Sequence, residues 1–477
     1  MATELYGVDA RLVDSIARTP VSTETNIIFI GASASGALNQ PVLITSLSDY
    51  ETKLGGTPGD GYNLTEAAIA AFTIANIDKC WMIPVSNSTT FSAADYTGSA
   101  SLETGVYAID KLLRESPTMV NILCAPGVQN YLVIDALNTV AQKAAGHWQS
   151  FIVYDVLQNA DQINDSGIID VQKVVFEKQL NSERARAVWG SVMTSGGYTI
   201  SGAAVQACLM AVSDANYGVP ARCGGNLPVN GIQSIQSIKK KQMSTTIQAN
   251  ILEGGFSCVY TLTGDYAAYT GTATCYVKFS NDVSKTDDVS FTDGQGAMFV
   301  ESSTAGVSVS GYEVYINEMS PVNIKESDGT QLSADGICSW INYGGGNWHT
   351  WGDHTSAFAN NTISDERGRF DNYMRMQMMI ANRFQYIYRF SIDDPMTLQM
   401  RNDVITEEQN FMNGLVAIGA LIGQPRVEFV QTDNPIDNVA QGYFTWSIAT
   451  TEAPPRKYML AKVAYTQAGL EVFTQEG

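Results

Sequence analysis

The chain has 477 residues, 45% of them apolar and 10% aromatic, which excludes disorder and predicts two to four domains rather than one core. Only 16% are charged, and 48 Asp and Glu against 28 Lys and Arg give a net charge of −20. That balance disfavours nucleic acid as the main partner, and scarce charge suits a surface spent on protein contact.

Residues 1–25 are polar without a period and read as an extended arm with no apolar signal core. From 27 to about 215, short apolar runs alternate with helical patterns. The strand candidates are IIFIGA (27–32), CWMIPV (80–85), NILCAP (121–126), FIVYDV (151–156) and ARAVWGSV (185–192). The helix candidates between them are 65–76, 105–113, 131–144 and VQKVVFEKQL (171–180). This alternation predicts a layered α/β domain over 26–240 with a largely buried sheet.

Lys239-Lys240-Lys241, the one basic run, reads as a solvated turn. Beyond it, from 241 to 335, helical patterns vanish and β-rich runs recur about every ten residues, as in FSCVYTL (256–262) and ATCYVKFS (273–280). An inserted all-β, sandwich-like domain is expected there. Residues 336–467 form a mixed α+β module. It holds a helix over 365–389, a second over 406–422 opened by a Thr406–Gln409 capping box, and strands at 426–431, 442–450 and 457–466. The tail 468–477 alternates without an obvious partner and reads as a second arm. The longest apolar stretch, LVAIGALIG (415–423), is far short of the ~20 residues a bilayer needs, so no membrane anchor is expected. Seven cysteines, an odd number without a CxxC, read as reduced core residues of a protein made in a cytoplasm.

Three kinds of chemistry have candidate residues. IIFIGASASG has the strand–glycine shape of a phosphate loop but lacks both GxxxxGK[ST] and GxGxxG. Ser195, His147 and Asp155 would supply a hydrolase triad, but without a GxSxG elbow. GGGNWHTWGDHTSAF (344–358) gathers His349, Asp353 and His354, the residue types of a metal site. The two histidines are five apart on a glycine-led strand and turn, which points them to opposite faces. The favoured reading is a tight turn whose tryptophans pack on the following helix, with no catalytic residue, cofactor or metal.

The order of several segments resembles contractile tail sheath proteins of bacteriophages and related injection systems. They are IIFIGASASGALNQPVLITSLSDYETKLGG (27–56), SGGYTISGAAVQACLMAVSDANYGVPARCGGNLPVNGI (195–232), LSADGICSWINYGGGNWHTWGDHT (332–355), GLVAIGALIGQPRVEFV (414–430) and TDNPIDNVAQGYFTWSIATTEAPPRKYMLAKVAYT (432–466). The likeness spans most of the chain outside 240–330. Its signature positions are Trp351, Gly352, Thr355, Gly419, Asp433, Asn434, Gly442 and Pro454. His354 stands where the family more often has arginine. The resemblance implies a structural subunit, not an enzyme, that stacks as hexameric rings around an inner tail tube and meets baseplate and tail terminator proteins. It implies arms that add strands to neighbouring copies, contraction driven by metastable subunit contacts, and a place in a virion tail. Sheaths of bacteriocins or secretion systems share this mechanism, and an α/β hydrolase is the rival from another class.

Overall fold

The computed structural model describes residues 25–116, 118–142, 147–164, 167–168, 181–301, 307–359, 361–468 and 470. The expected helix over 171–180 lies outside them. So do the two expected arms, apart from Thr25, Ala468 and Leu470. The chain divides into two compact units, one ending at Pro395 and the other beginning at Met396.

The first unit is organised by a nine-stranded sheet. Its strands in chain order are β1 (Ile27–Ala32), β2 (Val42–Ile44), β3 (Cys80–Ser86), β4 (Ile122–Cys124), β5 (Phe151–Asp155), β6 (Ala185–Val188), β7 (Pro228–Val229), β8 (Ile337–Asn342) and β9 (Trp348–Trp351). They lie in the order β7-β9-β8-β6-β5-β4-β1-β3-β2. The six from β8 to β3 run parallel, and the antiparallel strands sit at the two sides. Parallel strands are covered on both faces, which is why β1 and β5 read as unbroken apolar runs and are buried throughout.

Helices pack on this sheet. Asn63–Ala68 continues as a π-helical stretch Ile69–Ala75, which stops where Asn76 takes φ 55°. Helix α1 (Gly202–Tyr217) is lined by Ala203, Ala204, Ala207, Cys208 and Ala211, all fully buried, so small side chains let it lie close. Gly202 is obligatory in this packing, because a Cβ there would sit 2.2 Å from the Gly190 carbonyl. The unit also holds helices Leu47–Leu54, Ile109–Glu115 and Tyr131–Val140, and later in the chain α2 (Glu326–Ala334) and α3 (Asp371–Tyr388), with a short 3₁₀ turn at Glu366–Gly368 before α3.

The run ARAVWGSV, expected as one strand, is two. Gly190 at φ 96° breaks it after the buried Trp189, and Ser191–Thr194 continues in a different sheet. That six-stranded sheet has the order Thr199–Ile200, Ser191–Thr194, Ile232–Gln242, Val309–Val322, Gly271–Phe279, Ser284–Phe291. A three-stranded sheet of Thr245–Leu252, Gly255–Leu262 and Gln295–Glu301 shares a second core with it, in which Phe256 stacks on Phe279 at 4.3 Å. The lysine run is not a turn. It lies within Ile232–Gln242, paired with Ile316–Glu318, where Lys241 Nζ reaches Glu318 at 2.9 Å. Val309–Val322 likewise runs from the second core, at Val314, back into the first, at Val322.

The second unit is small. Helix α4 (Leu398–Ala417) starts eight residues before the expected capping box, because Thr397 is its N-cap, accepting from Met400 N at 3.1 Å. Thr406 is interior, its hydroxyl bonded back to the Asn402 carbonyl. A two-stranded ribbon, Arg426–Glu428 with Ser447–Ala449, lies against α4 through Gln409, which bonds the Val427 amide and the Pro425 carbonyl. The strand expected at 457–466 is not formed within the chain, and every residue of it is exposed.

Candidate functional site

The stretch 344–358 forms the end of a hairpin. β8 and β9 are joined through Gly344, Gly345 and Gly346, all at positive φ, as the glycine run predicts. Trp348 is buried in the first core, which also holds Met374 and Met378 of the following helix α3, while Trp351 lies over Gly329 of the preceding helix α2, whose absent Cβ leaves room for the indole.

The two histidines part as their spacing requires. His349 Nε2 lies 3.1 Å from Asn347 Oδ1 and its ring stands edge-on to Tyr343. His354 is buried and stacked among phenylalanines. Among the described residues no three His, Cys, Asp or Glu side chains converge in a metal-binding group. Two of the triad residues have other partners: His147 pairs with Asp110 at 3.3 Å, and Asp155 is bound to the start of α1.

The signature residues fall in two places. In the first unit, Gly352 at φ 98° has its Cα against Cys338 and its carbonyl in a polar cluster, and Thr355 Oγ1 donates to the Gly368 carbonyl. In the second, Asn434 stitches the ribbon's loop by bonding the Val430 carbonyl and both backbone groups of Thr445, and Asp433 accepts from Ser447 Oγ at 2.6 Å. Gly419 and Gly442 turn the chain at positive φ, and Pro454 is exposed just after the Leu421–Glu452 bridge.

Nothing in the sequence points to the cluster beside Gly352. Arg186, on β6, is fully buried and spends its guanidinium on four acceptors. Nε donates to Gln206 Oε1 at 2.7 Å, Nη1 to Asp371 Oδ2 at 2.5 Å, and Nη2 to the carbonyls of Gly224 and Gly352 at 3.0 and 2.9 Å. Asp371, the first residue of α3, also accepts from Gly224 N at 2.9 Å. One turn further on, Arg375 pairs with Asp214 of α1, which Thr25 Oγ1 also binds at 3.0 Å. A cavity of about 40 Å³ borders that pair and Asn382. Burial pushes Asp214 up to about 6 despite Arg375 and Thr25. These contacts tie β6, the hairpin, α1 and α3 together. A cluster among positions 25, 186, 206, 214, 224, 352, 371 and 375 has no spacing that a motif could reveal.

At the other end of α1, the buried Asp155 and the half-buried Glu66 share the helix N-terminus. Asp155 accepts from Gly127 N, Ser201 Oγ and Ala203 N at 2.8, 2.5 and 3.0 Å, and Glu66 Oε2 from Ser201 N at 2.8 Å. Burial, with repulsion from Asp155, pushes Glu66 up to about 8. A carboxyl raised in the folded state keeps its proton where the unfolded chain has lost it, so stability declines as pH rises from about 4.5 to about 8. Glu66→Gln is expected to flatten that decline and to melt above the unsubstituted chain at pH 8.5, each tenfold change in proton affinity being worth about 1.4 kcal/mol. Melting curves across pH 5–9 check it.

No family model matches the chain, and neither does any curated protein. Solved structures do. A chain of the anti-feeding prophage (AFP) baseplate, 6-fold symmetrised, superposes with a TM-score of 0.58 at 13% identity, covering 98% of this chain and 100% of that one. The sheath complex of the extracellular contractile injection system PVC, in its contracted state, gives 0.56 at 14% identity, over 99% of both chains. The AFP helical sheath in its contracted state gives 0.57 at 13%, over 97% and 100%.

The fold is that of a contractile sheath protein.

At these identities the likeness is one of fold, with mixed helices and several sheets. In this fold the hairpin, α1 and α3 meet at the Arg186 cluster, to which Gly352 contributes its carbonyl. Among the described residues no helix is long and apolar enough to cross a membrane.

Proposed function

We infer that the chain is the sheath subunit of a contractile tail or injection machine, without enzymatic activity. It stacks as hexameric rings around an inner tube, ends on baseplate and terminator proteins, and shortens to drive the tube through a cell envelope. The observation that carries this reading is a mismatch within the second unit. A ribbon only two strands wide lies in the same small unit as a segment of strand-like sequence, KYMLAKVAYT, that is exposed and belongs to no sheet. Two-stranded ribbons are marginal alone, and exposed edges accept strands from other chains. A neighbouring copy supplies what each lacks, through backbone hydrogen bonds that need no opposite charge on an acidic surface.

The β-rich segment 241–335 is read as an inserted sandwich that projects from the layered α/β body of residues 26–240, with 336–467 as the module nearest the tube. Residues 1–25 and 468–477 serve as arms, and the exposed segment extends the second arm upstream. The work of contraction comes from contacts that differ between two arrays. Permanent interfaces of this kind bury roughly 2,000–5,000 Å², so a modest gain per subunit sums to a large stroke without nucleotide. The likeness to AFP and PVC supports a non-phage machine as readily as a virion tail assembled in a host cytoplasm.

Negative-stain microscopy of the purified chain tests the reading. Long hollow tubes or stacked rings are expected. A defined small oligomer that never polymerises, on or off a tube, refutes it.

A further inference from the structure

Two buried ion pairs hold α3, and they are completed differently. In the Arg186–Asp371 pair every side-chain nitrogen and oxygen has a partner, Asp371 Oδ1 included, 3.2 Å from Gly224 N. Arg375 and Asp214, each 5% exposed, meet through a single bond from Nη2 to Oδ2. An arginine and a carboxylate often pair through two parallel bonds, so half of this contact is unmade. Arg375 Nη1 and Asp214 Oδ1 are buried and have no hydrogen-bond partner among the described residues. A donor and an acceptor so far from solvent cost free energy unless something satisfies both.

The cavity of about 40 Å³ borders this pair. Its wall is polar as well as apolar, with Thr25, Asn121, Gln149 and Asn382 beside Phe151 and Met378. One water takes about 30 Å³ in the liquid, and a buried one needs about two to four polar partners, so the space is large enough and polar enough to hold one. The charges select the occupant. A cation placed there meets the guanidinium and an anion meets the carboxylate. A neutral molecule that both donates and accepts suits the two at once, and the volume keeps it small.

We propose that ordered water occupies this cavity and completes the Asp214–Arg375 pair, accepting from Nη1 and donating to Oδ1. The α1–α3 joint is then wet at this point and made by direct bonds at Arg186, which holds Gln206 of α1 and Asp371 of α3. This stands independently of the sheath reading.

Hydroxyl-radical labelling by synchrotron X-rays tests it on the intact full-length chain, read by peptide mass spectrometry. Radicals formed from a bound water oxidise the side chain it touches, and methionine is readily oxidised. Met378 lines the cavity, while Met374, one turn earlier on α3, does not, and the two are equally buried, at 6% and 7% exposed. Met378 is expected to oxidise several-fold faster than Met374, and equal rates overturn the proposal. In Asp214→Leu/Arg375→Leu the groups that hold the water are gone, so the Met378 rate is expected to fall to that of Met374. A rate that stays high in the folded variant means that solvent reaches Met378 by another route, and it too overturns the proposal. If the variant does not fold, the comparison within the unsubstituted chain decides.

Discussion

Arg186→Met is expected to destabilise the chain by about 3–5 kcal/mol, a large part of the 5–15 kcal/mol that holds an ordinary domain together. The side chain is fully buried, and its loss takes a donor from four acceptors at once: the Asp371 carboxylate, Gln206, the Gly352 carbonyl, and the Gly224 carbonyl, which keeps the Thr350 hydroxyl. Asp371 suffers most, because a buried carboxylate without its cation keeps the whole desolvation penalty. The Gly224 amide partly satisfies Asp371, but a backbone dipole does not replace a guanidinium. Urea denaturation measures the loss, or the yield of soluble chain where folding fails. The double variant Arg186→Met/Asp371→Leu is expected to recover part of it, since no unpaired charge then remains buried. A shift under about 1 kcal/mol for Arg186→Met would show that the cluster is not what joins these elements.

Removing residues 457–477 is expected to do the reverse, leaving the fold intact and abolishing assembly. Tyr458, Met459, Val463 and Tyr465 are each 76–94% exposed, so they bury little apolar surface in their own chain and their loss costs its stability little. The pattern Lys-Tyr-Met-Leu-Ala-Lys-Val-Ala-Tyr-Thr nevertheless has the composition of a strand. If a neighbouring ribbon is its partner, the truncated chain melts at nearly the same temperature but forms no tubes under negative stain. Tubes of normal appearance from the truncated chain would refute strand donation by this segment, whatever else the tail does.

Legibility in the sequence varies with how local the cause is. β1, β3 and β5 are readable because burial on both faces demands unbroken apolar runs, and such runs are there. The glycine-led hairpin is readable from backbone geometry alone. ARAVWGSV misleads because its composition is continuous, while the break depends on the backbone conformation of one glycine, Gly190. The box at Thr406–Gln409 misleads because the same residues fit a helix interior once Thr397 caps earlier. The segment 457–466 reads as a strand of its own module because alternation reports a tendency to pair and does not say with which chain. The Arg186 cluster is invisible because its members look ordinary one by one and are brought together only by the tertiary fold.

The two strands that pass from one core to the other also decide how force travels. Ile235–Gln242 is laddered residue by residue to Tyr315–Val322, and neither stretch contains a glycine. At ~3.3 Å per residue, Ile232–Gln242 spans about 36 Å and Val309–Val322 about 46 Å. The laddered stretch, eight pairs or about 26 Å long, joins the two cores without a glycine at which to hinge. A load on the second core therefore reaches the first as shear along one row of backbone hydrogen bonds, with no flexible linker between them to absorb it.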